Sequence, residues 1–192
     1  MENKFISDKV LNPKLLISKS EIFSNNSLIP QESGIYGAYF KEVPLEVDVD
    51  SCVSFGEYTL LYIGVSNNLK KRLEGHYIQD ASRSTLRKTL GLLLVDESSF
   101  PLRKIKPYKR LTRNFTPDGE RWLSAWIEKN MYFSFEVTPD YLLIEDKYLK
   151  NLGPQGALPL NIKGNNHPYA NKLKKVREAA IISADENVFY KT

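Results

Sequence analysis

Arg72 and His76 lie four residues apart in YIGVSNNLKKRLEGHY, whose part after Ser66 has helix-forming character. At about 100° per residue they stand roughly 40° apart on the helix, beside the stripe formed by Leu69 and Leu73 and not opposite it. From there each can reach a bound group, or the pair can be a snorkelling arginine and a capped histidine near a helix end. Glu145 is the more demanding residue. On the same wheel it falls among Leu142, Leu149 and Leu152, and a carboxylate in an apolar stripe is costly unless it is paired or bound to a metal. Pairing predicts a buried salt bridge. Metal binding predicts magnesium, which commonly takes one or two carboxylates and completes its shell with water and phosphate oxygens. One glutamate plus a phosphodiester is a coherent magnesium site.

These residues need elements to hold them. GIYGAYF at 34–40 and YTLLYIGV at 58–65 are short, aromatic and aliphatic, and bounded by turn formers, so both read as strands. A helix follows, with Ser66 or Asn67 as its N-cap, and runs to about His76. Further helices are expected over Thr85 to Val95 after Ser84, from Pro117 through Trp122 and Trp126 to Asn130, from Pro139 to Asn151, and from Tyr169 to Ser183. MYFSFEV at 131–137 alternates and reads as a third strand. Phe100 to Phe115 has two prolines, many basic residues and no acidic one, and reads as an irregular or hairpin excursion. Together these predict an α/β (α+β) layout, a small antiparallel β-sheet flanked by helices. Residues 1–29 form an N-terminal arm or helix, 30–184 the main domain with a basic insertion around 77–116, and 185–192 a C-terminal tail.

Charge is distributed unevenly among the 192 residues, whose formal net charge is +4. Residues 1–60 hold 5 Lys and Arg against 9 Asp and Glu, residues 66–113 hold 12 against 4, and residues 114–192 hold 10 of each. The basic block fits either a solvated face or a polyanionic partner, most naturally nucleic acid. Within it, FPLRKIKPYKRLTRN interleaves cations with Tyr108 and Phe100, the mix expected where a protein tracks a nucleic-acid backbone. Arg103, Lys104, Lys106, Lys109, Arg110 and Arg113 are the candidate contacts, with Arg83, Arg87 and Lys88 extending the surface. A single cysteine, Cys52, excludes an intrachain disulfide and a cysteine-based zinc site. The N-terminal residues lack the apolar core of a signal peptide, and the longest apolar stretches are too short to span a bilayer. A cytoplasmic protein with no membrane partner is the expectation.

Gly34-Ile35-Tyr36 followed by Tyr62-Ile63-Gly64 resembles the signature of the GIY-YIG nucleases. The resemblance extends to Arg72 and His76 on the next helix, Glu145 on a later helix, Asn161 in PLNIK, and the segments STLRKTLG and NNHPYANKL, which look like those of stand-alone bacterial members. It covers roughly residues 30–180, with a wide spacing between the triplets and a basic insertion between the histidine and glutamate helices. The resemblance implies hydrolysis of phosphodiester bonds in DNA, dependent on Mg²⁺ (or Mn²⁺) and leaving 5′-phosphate and 3′-hydroxyl ends. By it, Glu145 holds the metal and acts with it, and Arg72 clamps a phosphate oxygen. Tyr36, Tyr62 or His76 is the general base for water, and Asn161 supports the site by hydrogen bonding. The implied partner is double-stranded DNA in a restriction-like or repair-like role, without a small-molecule cofactor, from a monomer or a homodimer. A catalytically inactive nucleic-acid-binding module of the same fold, or an RNA-directed nuclease, are the alternatives.

Overall fold

The computed structural model describes residues 8–44, 47–106 and 112–190. In chain order its elements are α1 (Asp8–Leu11), α2 (Lys19–Ser24), β1 (Gly34–Phe40), β2 (Ser54–Phe55), β3 (Tyr58–Ser66), α3 (Leu69–Ile78), α4 (Thr85–Leu93) and α5 (Val95–Ser98). These are followed by β4 (Arg103–Lys106), β5 (Thr112–Asn114), α6 (Pro117–Asn130), β6 (Met131–Val137), α7 (Tyr141–Leu152), α8 (Pro168–Glu186) and β7 (Val188–Tyr190). The fold is the expected small antiparallel sheet flanked by helices, with strand order β2-β3-β1-β6.

β1 occupies the middle of the sheet, and all seven of its residues are buried. A strand covered on both faces has no reason to alternate apolar with polar residues, and GIYGAYF does not. Tyr36, Ala38 and Phe40 point to one face, under Leu69 and Leu73 of α3, Leu90 of α4 and Ile127 of α6. Ile35 and Tyr39 point to the other, with Leu60, Ile63, Val10 of α1 and Tyr148 of α7. The N-terminal arm follows the outer edge of β6: Ile17 and Phe133 exchange backbone hydrogen bonds, and the Val10 carbonyl accepts from the Tyr39 and Ser134 hydroxyls. The arm thereby shields an edge strand that could otherwise pair with another chain.

The two signature glycines are dictated by crowding. A Cβ on Gly34 would overlap the carbonyl oxygen of Glu136 on β6, and one on Gly64 would overlap the Tyr36 phenol. Register explains the second case, because Tyr36 lies directly opposite Gly64 and its ring occupies the space a side chain would take. Tyr62 sits opposite Ala38, two positions away from Gly64 along β3, so both tyrosines share one face as diagonal neighbours. Pairing shifts between Ala38 and Tyr39, so that Leu61 has no direct partner and forms a bulge next to Tyr62.

Several boundaries differ from the sequence reading. α3 is capped by Asn68, whose Oδ1 accepts from Lys71 N, and not by Ser66 or Asn67; Ser66 instead closes a local turn with Asn68. α7 buries Tyr148 toward the sheet while Leu142 and Leu143 are exposed, so its core face runs through Ile144, Tyr148 and Leu152 and places Glu145 on its flank. The expected stripe of Leu142, Leu149 and Leu152 around Glu145 is therefore not a fully buried one. The basic excursion contains the hairpin β4–β5, and β7 pairs parallel to β4, making a second sheet of order β5-β4-β7. Residues 185–192, read from sequence as a tail, thus contribute a strand. Three residues at a chain end carry no period, and their partner lies more than eighty positions away. Among the described residues no helix is long and apolar enough to cross a membrane.

Candidate active site

Tyr36, Tyr62, Arg72, His76, Glu145 and Asn161 converge at the open edge of β3. The strand has β1 on one side only at this level, because β2 pairs no further than Tyr58 and Thr59. Asn161 closes the gap. Its Oδ1 accepts from Ile63 N and its Nδ2 donates to Ile63 O, both at 2.9 Å, so one amide side chain supplies what a neighbouring strand would supply. The Asn161 backbone carbonyl is in turn held by Asn165 Nδ2 at 2.9 Å.

Behind that edge runs a buried polar chain. Arg72 Nε donates to the Tyr36 hydroxyl at 3.1 Å, and the same hydroxyl lies 2.8 Å from His76 Nε2. His76 Nδ1 reaches Ser84 Oγ at 3.2 Å, and Ser84 caps α4 by accepting from Arg87 N. Tyr36 is 0% and His76 1% exposed, so neither touches solvent. Burial, then the charge of Arg72 and Arg87, pushes the His76 pKa well below its ordinary value, and the imidazole is neutral. Burial also drives the Tyr36 phenol well up, reinforced by Tyr62 and opposed by Arg72.

Tyr62 and Arg72 form the front of the site. Both line a cleft of about 600 Å³ together with Glu145, Asn161, Lys174 and Arg177. The Tyr62 ring lies 6.3 Å from that of Tyr36, and Arg72 acts on both phenols. Burial raises the Tyr62 pKa, and Arg72 works against the rise. Glu145 enters from α7, half-buried, with no hydrogen bond or ion pair among the described residues. Burial holds its carboxyl above the usual range, Lys163 opposing. The buried salt bridge that was one sequence alternative is therefore not what Glu145 makes. Its neighbour Asp146 is engaged by Lys150 at 2.7 Å. Among the described residues no three His, Cys, Asp or Glu side chains gather, so a metal held in this cleft would have the unengaged Glu145 as its carboxylate ligand. A desolvated, unpaired oxygen donor facing a cationic cleft fits a hard divalent ion whose remaining ligands are water and phosphate oxygens.

Residues 34–179 match the family model of the GIY-YIG catalytic domain. The chain belongs to the GIY-YIG family. It therefore carries a nuclease-type catalytic domain whose substrate is nucleic acid. Comparison with curated proteins and with solved structures returned no match.

The basic surface divides on inspection. Arg87 is 1% exposed and cannot contact DNA: it donates to the His76 carbonyl at 3.2 Å, Glu120 at 2.8 Å and Ser124 Oγ at 2.9 Å. The reason is its place on α4, where Leu86 and Leu90 flank it on the core-facing side. Arg113 is bonded to Asp185 at 2.9 and 2.5 Å, and Lys104 lies 3.9 Å from the same carboxylate, so part of the basic block holds the hairpin to α8. Arg83 and Lys106 are exposed, and Lys88 and Arg103 are half-buried. Lys109 and Arg110 lie outside the described residues. Lys163, Lys174 and Arg177 line the cleft and were missed from sequence. For Lys174 and Arg177 the signal was the cationic cluster KLKKVR in α8, hidden because residues 114–192 balance to zero overall; Lys163 stands alone in the preceding loop.

Proposed function

We propose that this chain is a divalent-metal-dependent DNA endonuclease in which Glu145 holds the metal, Arg72 binds the scissile phosphate and Tyr62 takes the proton of the attacking water as a phenolate, its own proton having left to solvent through the cleft under the charge of Arg72 and the metal. The observation that carries the reading is the unpaired, half-buried carboxylate of Glu145 in one cleft with Tyr62, Arg72 and three further cations. A carboxylate kept desolvated with no partner is a liability to the fold and an asset to a cation site. When bound, Mg²⁺ or Mn²⁺ supplies Lewis-acid stabilisation of charge on the phosphorus centre. Arg72 adds a permanent charge and a planar fork matched to phosphate oxygens.

Exposure favours Tyr62 over its two rivals as base. A proton acceptor must come within hydrogen-bond reach of the water, and Tyr62 lines the cleft whereas Tyr36 and His76 are sealed behind it. Tyr36 then acts by fixing Arg72, whose Nε it receives, and His76 fixes Tyr36 through Nε2 while Ser84 sets the imidazole through Nδ1. Asn161 acts by holding Ile63, and with it the neighbouring Tyr62, in place. DNA duplex is the favoured substrate, cytoplasm the favoured compartment, and a restriction-like or repair-like role the favoured setting.

The test is a time course on supercoiled plasmid with Mg²⁺, alongside EDTA and Glu145→Ala. Nicking or linearisation by the wild type alone supports the reading. Equal cleavage by Glu145→Ala removes Glu145 from the site, and cleavage of a matched RNA in place of DNA changes the substrate.

A further inference from the structure

A second cavity, of about 760 Å³, opens between α4, the β4–β5 hairpin and the last turns of α8, with Arg83, Lys88, Ile105, Arg113, Phe115 and Ile181 in its wall. The same two helices build both cavities. On α4, Thr85 faces the cleft and Lys88, one turn later, faces the second cavity. On α8, Lys174 and Arg177 face the cleft and Ile181, one turn beyond, faces the second cavity. The two helices pack against each other, so they form one ridge between the cavities. From Lys174 to Ile181 the helix rises about 10 Å at 1.5 Å per residue. That is roughly three phosphates of a strand at 3.4 Å each.

Resting on the nuclease reading above, we infer that the DNA strand bound in the cleft continues over this ridge and that Lys88 anchors one of its phosphates in the second cavity. Lys88 is half-buried and makes no ion pair among the described residues. The nearby carboxylates are otherwise engaged: Glu120 holds Arg87, Asp185 holds Arg113, and Asp80, in the wall of the same cavity, accepts from the Ser82 backbone N–H and hydroxyl. Burial, and then the charges of Arg177 and Arg113, push the Lys88 pKa down, with Asp80 and Glu120 opposing. An ammonium packed among like charges with no carboxylate of its own is relieved by an anion from outside. Its position between the cleft cations and the basic hairpin makes a phosphodiester the anion that arrives with the substrate.

The experiment compares wild type, Lys88→Met and Lys129→Met, the last removing an exposed cation on α6 that pairs with Glu42. Methionine keeps the apolar stem of Lys88 and removes the charge. Binding of a fluorescent 20-base-pair duplex is followed by anisotropy in EDTA across a salt series, and plasmid cleavage is run in Mg²⁺. The inference expects Lys88→Met to weaken duplex binding about five- to tenfold and to flatten the salt slope by about one. It also expects KM to rise with kcat held, and Lys129→Met to match wild type throughout. A Lys88→Met protein that melts with wild type and shares its affinity, salt slope and KM overturns the inference while leaving the nuclease standing. So does inorganic phosphate that raises the melting temperature of wild type but not of Lys88→Met, where duplex affinity is the same for both. Wild type that binds duplex with the Lys88-dependent slope but never cuts supports the inference and rejects the nuclease instead.

Discussion

The buried imidazole of His76 gives the fold a calculable sensitivity to acid. In the folded chain it is held neutral by burial and by the charges of Arg72 and Arg87, its pKa well below the ordinary 6.5. In the unfolded chain it titrates normally. Below pH 6.5 the unfolded state therefore binds more protons than the folded one, and stability falls as pH falls. While the folded imidazole stays neutral, the loss approaches about 1.4 kcal/mol per pH unit, or roughly 2 kcal/mol by pH 5. Against a typical domain stability of about 5–15 kcal/mol that is readily measured. The assay is urea unfolding at steps from pH 7.5 to 5.0 for wild type and His76→Gln. The variant starts lower, because the bonds to Tyr36 and Ser84 are disturbed, and its stability changes little over the range, so the two curves converge toward acid. Glu145 acts with the opposite sign, since its raised pKa lets the folded state take up a proton first. Repeating the pair in a Glu145→Gln background removes that contribution, and His167 is common to all the proteins. Parallel curves from pH 7.5 to 5.0 would refute the account of His76.

Four further outcomes follow from the same geometry. Tyr62→Phe should lower kcat by about 10²- to 10⁴-fold, while its urea midpoint stays near wild type; Tyr36→Phe should lose activity and also about 1–3 kcal/mol, because His76 and Arg72 are left short of a buried partner. Asn161→Ala strips both bonds from Ile63 and should cost about 2–4 kcal/mol, read as a fall in melting temperature. Arg87→Met leaves Glu120 unpaired and should destabilise by about 3 kcal/mol, yet leave the salt dependence of DNA binding as in wild type; a flatter slope would return Arg87 to the binding surface.

The layout was legible because its elements had local cues, and the same cues named the six candidate residues that the fold brings together. GIYGAYF and MYFSFEV have the bounds of β1 and β6 as they stand, and the arginine and histidine of α3 share a face at a spacing that any helix enforces. What the sequence hid was relational. Glu145 seemed sunk in an apolar stripe because the wheel treats every leucine as buried, whereas α7 rests on the sheet through Tyr148 and leaves Leu142 exposed. Arg87 looked like part of a basic surface because charge is counted without regard to direction. Its neighbours Leu86 and Leu90 turn it inward, where a carboxylate thirty-three positions away receives it. The strand at Val188–Tyr190 depends on a partner at Lys104–Lys106, and no local period reports such pairing.

The signature residues divide by depth, and the division explains why the motif needs all of them. Gly34 and Gly64 do no chemistry; Gly34 lets the β6 backbone come close, and Gly64 leaves the space that the Tyr36 ring occupies. Tyr36, His76 and Ser84 are too deep to touch a substrate, but they form the back of a hydrogen-bonded chain whose front is Arg72. Tyr62, Arg72 and Glu145 meet the cleft from β3, α3 and α7 in turn, and Asn161 joins them in its lining. A site assembled from three elements keeps its geometry only if those elements cannot slide. Tyr36 ties β1 to α3, Ser84 ties α3 to α4, and Asn161 ties β3 to the segment that follows α7. The buried half of the motif therefore sets positions that the exposed half uses. A substitution in either half should therefore lower activity, and one in the buried half should lower stability as well.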